Sequence, residues 1–230
     1  MPSPGHPGTA TIRAVTLDLD GTLCRYRESA DTLLDRAFEQ VGVEPFFTAT
    51  EYHDRVGRYL DATDTRAELR EDCFADLAER RGRDRRVGRR VAAAYATMRD
   101  HADVEPLPGA LAAVDRLAAA YPLALVTNGP PEIQTPKLRT LDLAGRFDVT
   151  VHAGYDTLAK PDPAPFIDAV HGLGVPPASV VHVGDSVRVD VWGADAAGMQ
   201  TALLGDEGAG PTRPHYSLAS MRELADPPWT

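Results

Sequence analysis

Five short apolar runs, separated by longer helical patterns, constrain this chain more than any other feature. They are "AVTLDLD" at 14–20, "LALVTNG" at 123–129, "FDVTVHAG" at 147–154, "SVVHVGDS" at 179–186 and "QTALLG" at 200–205. Each is too short and too continuously apolar for an amphipathic helix. Helix signals lie between them, such as Pro108-Gly109 ahead of "ALAAVDRLAAA", and "PAPFIDAVHGLG" with Gly172 and Gly174 near its end. Strands covered on both faces and alternating with helices predict an α/β fold built on a doubly wound parallel sheet. With 230 residues and 43% hydrophobic content the chain can bury such a core.

One stretch breaks the alternation. Over 27–104 there is no strand pattern, only helix-like segments: "SADTLLDRAFEQVG", "TATEYHDRVGRYLDA" with Thr48 and Glu51 spaced as a capping box, "TRAELREDCFADLAERRG" and "VGRRVAAAYATMRD". These predict an all-helical domain, 27–104, inserted into a discontinuous core of 13–26 and 105–230. Because the insert follows the first strand, it is expected over the carboxyl end of the sheet, where open α/β folds bind ligands. Residues 1–12 and the stretch "GDEGAGPTRP" read as mobile or looped.

Composition narrows the partners. A formal charge of −10 argues against nucleic acid, whose binding requires clustered cations. The basic run "ERRGRDRRVGRR" at 79–90 is interleaved with acids and lacks aromatics, so it reads as a solvated helix face and turn. No window of 18 apolar residues predicts a membrane span, and "MPSPGHPGTATIR" lacks the order of a signal peptide, so a cytoplasmic protein is expected. Cys24 and Cys73 give no disulfide framework and read as buried small hydrophobes. Lys137 and Lys160 are the sole lysines among 24 basic residues, which singles both out.

The candidate chemistry lies at the strand ends. In a strand, residues i and i+2 project to one side, so Asp18 and Asp20 can reach a common site, helped by the turn that Gly21 permits. Two carboxylates that close repel, and a divalent cation such as Mg²⁺ would relieve the repulsion; a plain Asp-Gly turn is the alternative. "VTNG" offers the Thr127 hydroxyl and the backbone N–H groups of Asn128 and Gly129 as a phosphate cradle. "AKPDP" supplies Lys160, and "GDSVRVD" supplies Asp185 and Asp190. Each alone has an ordinary reading as turn residue, surface lysine or helix-start acid. Their gathering at carboxyl ends of strands is what coincidence explains poorly.

"DLDGTL", the Thr of "VTNG", the Lys of "KPDP" and the acids of "GDSVRVD" followed by "GADAAGM" together resemble the four ordered motifs of the haloacid dehalogenase superfamily. The insert resembles the cap that one branch of that family carries between its first two motifs. The resemblance implies that Asp18 attacks phosphorus to form an aspartyl phosphate, and that Asp20 protonates the leaving oxygen and then activates water. It further implies Mg²⁺ held by the Asp18 carboxylate, the Asp20 backbone carbonyl and Asp185, with Asp190 in the outer shell. Thr127, Asn128 and Lys160 would hold the phosphoryl group. True dehalogenases resemble the first motif but lack the second acid, so Asp20 favours phosphate chemistry. The implied function is a Mg²⁺-dependent phosphatase of a small phosphorylated metabolite; a sugar phosphomutase, or a non-catalytic metal- or phosphate-binding module on the same fold, are the alternatives. His152 and His182 read as packed within strands, while His53 and His101 are left unassigned. Arg25 and Arg27, flanking Tyr26 at the junction with the insert, are expected either to pair with acids such as Glu28 or to grip an anionic group on the substrate's leaving part.

Overall fold

A computed structural model describes residues 10–56, 66–205 and 212–230. The chain divides into two compact units: one runs to Tyr26 and resumes at His101, and the other is Arg27–Asp100.

The first unit holds a parallel sheet in the order β5-β4-β1-β6-β7-β8, with β1 Ala14–Leu17, β4 Leu123–Asn128, β5 Val149–Ala153, β6 Val180–Gly184, β7 Gln200–Leu204 and β8 Tyr216–Leu218. Alternation along β1 explains why both faces are covered. Val15 and Leu17 join a core with Leu117, Leu125 and Val183, whereas Ala14 joins one with Val126, Phe166 and Val180 on the other face. The helices covering these faces are α5 Ala110–Ala118, α6 Pro131–Thr140, α7 Ala164–Leu173 and α8 Trp192–Ala196. A single π-helical turn, Val187–Val191, leads into α8 and is capped by the Ser186 hydroxyl, which accepts from Val189 N at 3.2 Å. The β1 strand lies between β4 and β6, where the direction of winding reverses, so the carboxyl ends of these three strands meet at the switch point.

Three short strands were not expected. A two-stranded antiparallel ribbon joins β2 Cys24–Tyr26 to β3 Val104–Pro106, and β8 extends the sheet. The chain rejoins the sheet unit at His101, ahead of the expected position 105, because the returning segment leads directly into that ribbon. The expectation of a mobile 1–12 is corrected at its end: Ile12 is buried in the core and Ala10 O accepts from Gln200 Nε2 at 2.8 Å. Residues 1–9, and 206–211 within the expected loop, lie outside the described residues.

The second unit contains α1 Ala30–Val41, α2 Ala49–Val56, α3 Arg66–Arg80 and α4 Arg85–Met98. Ser29 caps α1 by accepting from Thr32 N, and Thr48 and Glu51 form the expected reciprocal pair at α2, at 2.9 and 3.2 Å. The core is aromatic: Phe38, Phe46, Phe47 and Phe74 meet largely edge to face, with 4.7 Å between the Phe47 and Phe74 centroids. A methyl group at Gly88 would lie 2.2 Å from Phe74 O, so this glycine permits the close approach of α4 to α3. The basic run is a paired surface, with Arg80 on Asp76, Arg81 on Glu51, Arg85 on Glu79 and Arg89 on Asp72. Among the described residues no helix is long and apolar enough to cross a membrane.

Candidate active site

Asp18 follows the last residue of β1 and is almost fully buried. Lys160 Nζ donates to Asp18 Oδ1 at 2.7 Å, to Asp190 Oδ1 at 2.6 Å and to Val126 O at 2.9 Å. One ammonium thus joins β1, β4 and the π-helical turn after β6. Asp190 is fixed in return: Ser186 N donates to its Oδ2 at 3.1 Å, and His182 Nε2 lies 3.3 Å from its Oδ1. The other imidazole nitrogen, Nδ1, is 2.8 Å from Thr16 Oγ1, and the Phe166 ring meets the imidazole edge to face. His182 is therefore more than packing: it links β1 to the acid that holds Lys160.

The electrostatics follow from burial. Burial pushes the Asp18 carboxyl up to about 7; Lys160 opposes the rise and Asp190 adds to it. Burial acts the same way on Asp190, but the Lys160 charge and the His182 hydrogen bond overcome it and hold Asp190 well below the ordinary carboxylate range. For Lys160, burial favours the neutral amine, yet the two carboxylates outweigh it and raise its proton affinity. Two acids share one ammonium, so Asp190 keeps its charge and Asp18 takes the first proton. Burial lowers the proton affinity of His182. Cys24 and Cys73 are buried thiols pushed up to about 12 and about 11, chiefly by desolvation, which leaves them unreactive.

Asp20 has different surroundings. Its carboxylate is 41% exposed, and Lys137 Nζ lies 2.7 Å from both of its oxygens. Gln134 Nε2 reaches Asp20 Oδ2 at 3.1 Å, Thr127 Oγ1 at 2.8 Å and Asn128 O at 3.2 Å. Sequence reasoning singled out Lys137 only as a rare lysine and did not single out Gln134. Between Asp20 and Asp185 sits Gly21, with φ +83°; a β-carbon there would lie 2.2 Å from Asp185 Oδ2. Thr22 Oγ1 donates to Asp185 Oδ1 at 3.3 Å.

The remaining expected site residues divide. Thr127 is buried near the end of β4, and its hydroxyl accepts from the Gln134 amide that also reaches Asp20. The expected Gly129 N–H of the phosphate cradle is instead committed to Ala153 O at 3.0 Å, because β4 continues its pairing with β5 to that point. The Asn128 side chain clamps the Lys160 backbone, accepting from Lys160 N at 2.9 Å and donating to Lys160 O at 3.1 Å, so it sets where the lysine starts. Arg25 follows the first of its two expected readings, pairing with an acid: it stands opposite Glu105 in the ribbon, bonds it through Nε at 2.8 Å, and is 63% exposed. Glu28 pairs with Arg36. Arg27 is exposed and opens the helical unit.

Carboxylate oxygens of Asp18, Asp185 and Asp190 all come within 4.8 Å of one another. The donor set is oxygen alone, which fits a hard cation. Lys160 reaches Asp18 through Oδ1, whereas both Asp190 oxygens are engaged, Oδ1 by Lys160 and Oδ2 by Ser186 N, so Asp18 and Asp185 are the two that fit as direct ligands.

Residues 12–198 match the family described as haloacid dehalogenase-like hydrolase. A phosphoserine phosphatase of Thermus thermophilus is 30% identical, with 93% of this chain and 98% of that protein covered. A phosphoglycolate phosphatase of Neisseria meningitidis is 29% identical over 93% and 92%. Among solved structures, the HAD-hydrolase YfnB of Bacillus subtilis shares the fold with a TM-score of 0.73 at 22% identity, covering 93% of this chain and 97% of that one. A 2-haloacid dehalogenase of Pseudomonas syringae superposes with a TM-score of 0.64 at 25% identity over 93% and 96%. The two curated relatives are both phosphatases, and the chain belongs to the haloacid dehalogenase-like hydrolase family.

Proposed function

We propose that this enzyme is a cytoplasmic, Mg²⁺-dependent phosphatase that hydrolyses a small phosphorylated metabolite through an aspartyl phosphate on Asp18. The observation that carries the reading is the different setting of two carboxylates two residues apart. Asp18 is buried against Lys160, as suits a nucleophile directed at a phosphoryl group, whereas Asp20 is half-exposed and held from another side, as suits a group that gives and takes a proton. The names of the relatives agree with phosphate esters and differ in the ester, so they leave the substrate open.

On this reading an Asp18 oxygen forms a bond to phosphorus. The bond from phosphorus to the leaving oxygen breaks with its electron pair, and that oxygen takes a proton from Asp20. In the second half Asp20 takes a proton from water, the water oxygen bonds to phosphorus, and the bond to Asp18 breaks to release phosphate. Lys160 and Thr127 hold the transferring group, and Asn128 holds Lys160. Mg²⁺, when bound by the Asp18 and Asp185 carboxylates and the Asp20 carbonyl, would neutralise charge on the phosphoryl oxygens. The helical unit is the part proposed to select the leaving group.

The test is release of inorganic phosphate from a panel of phosphoserine, phosphoglycolate, sugar phosphates, acyl-sugar phosphates and nucleotides, in Mg²⁺ and in chelator. Metal-dependent release is expected. Formation of an isomerised sugar phosphate without phosphate release would indicate a mutase, and inactivity across the panel would reject the reading.

A further inference from the structure

The inward face of α6 carries two polar residues where a helix against a sheet ordinarily buries apolar ones. Gln134 is 0% and Lys137 2% exposed, three residues apart on one face. Both turn a donor to the same carboxylate: Lys137 reaches the two oxygens of Asp20 at 2.7 Å, and Gln134 reaches Oδ2 at 3.1 Å. Behind the ammonium stands the Tyr26 ring, its centroid 4.7 Å from Nζ, with the Tyr26 hydroxyl 2.7 Å from His101 Nδ1. The Gln134 Oε1 atom is buried without a hydrogen-bond partner, so the amide is oriented for what its nitrogen donates to. Burying an ammonium and an amide is costly, and an apolar pair would fill the same space more cheaply. The cost is intelligible if the geometry of Asp20 is what it secures.

We propose that Lys137, seconded by Gln134, is a positioning residue for the proton-transfer step, fixing the Asp20 carboxyl toward the leaving oxygen; the proposal rests on the phosphatase reading above. Oδ2 accepts from both residues and Oδ1 from Lys137 alone. Oδ1 is therefore the oxygen with room to carry the proton. It gives that proton to the leaving oxygen as the phosphorus–oxygen bond breaks, and Lys137 itself neither gains nor loses one. Gln134 also donates to Thr127 Oγ1 at 2.8 Å, so the same helix face ties the proton donor to the phosphoryl-binding side.

The test separates positioning from support of the fold through the leaving group. The wild type, Lys137→Gln and Lys137→Met are compared by kcat/KM on p-nitrophenyl, phenyl and p-methoxyphenyl phosphate in Mg²⁺, with circular dichroism to check folding. Nitrophenolate departs without a proton, whereas the more basic phenolates need one. The loss in Lys137→Met should be about one to two powers of ten greater on p-methoxyphenyl than on p-nitrophenyl phosphate, with Lys137→Gln, which keeps a donor, in between. In an Asp20→Asn background the added Lys137→Met change should have no leaving-group dependence. Equal losses across the series, the same dependence in the Asp20→Asn background, or unfolding of both variants would overturn the proposal. A wild type inactive on all three esters would instead reject the phosphatase reading and the proposal with it.

Discussion

Asp18→Asn should raise the stability of the metal-free protein while abolishing turnover. In the fold the Asp18 carboxyl is pushed from the ordinary 3.8 to about 7, first by burial and then by Asp190, against the pull of Lys160. The folded state therefore binds this proton more tightly than the unfolded chain. Its contribution is fully present below pH 4 and is lost as the pH rises through 7. The gap between 3.8 and about 7 corresponds to about 4 kcal/mol above neutral pH. Asparagine cannot recover all of this, because Lys160 then faces one carboxylate, so a gain of about 1–3 kcal/mol is expected. At about 2–4 °C per kcal/mol for a chain of this size, Tm should rise by roughly 2–12 °C. The assay is thermal unfolding of both proteins in chelator at pH 5, 6, 7 and 8. The Tm difference should widen with pH and flatten above about 7, and added Mg²⁺ should narrow it by stabilising the wild type. An asparagine variant that melts lower at pH 8 in chelator, or a difference that shrinks with pH, would refute the argument.

Lys160→Arg should lower kcat by about a hundredfold or more. A compact ammonium meets three oxygens within 2.9 Å at that point, and a planar guanidinium cannot place one nitrogen among them; steady-state kinetics on any substrate found active would show it. Gly21→Ala should retain the fold by circular dichroism yet lose activity by about tenfold or more and need more Mg²⁺. The new β-carbon would lie 2.2 Å from Asp185 Oδ2 on a backbone with φ +83°, and a Mg²⁺ titration of activity checks it.

The sheet was legible because both faces of β1, β4 and β6 are buried, which leaves continuous apolar runs in the sequence. The ribbon of β2 and β3 and the edge strand β8 have three residues each, too few to display a period. Helix α6 escaped for a different reason. Its buried face holds Gln134 and Lys137, and Pro136 lies within it, so neither amphipathicity nor propensity marks it as a helix packed on a sheet. The meeting of Asp18, Lys160 and Asp190 was legible because each follows the carboxyl end of a strand, β1, β5 and β6 in turn. The site was illegible where one residue serves another: His182 behind Asp190 and Asn128 against the Lys160 backbone take those roles only once the π-helical turn after β6 and the loop after β5 fold back against strand ends.

Charge explains why these parts form one site. Asp18, Asp20, Asp185 and Asp190, taken with the ammonium groups of Lys137 and Lys160, sum to a formal charge of −2 when all four acids are ionised. Such a site repels a phosphate dianion as long as it lacks a cation, and protonation of Asp18 relieves only half of the excess. A dication brings the sum to zero, and the two lysine–carboxylate pairs then present no net repulsion to a phosphoryl group. Inorganic phosphate followed by isothermal calorimetry should therefore bind in millimolar Mg²⁺ and bind at least about tenfold more weakly in chelator, a difference of about 1.4 kcal/mol or more. Lowering the pH from 8 to 6 in chelator should recover part of the binding, since Asp18 takes up its proton in that range. Equal phosphate affinity with and without the metal would mean that Lys160 alone suffices to hold the anion, and the charge count would be wrong.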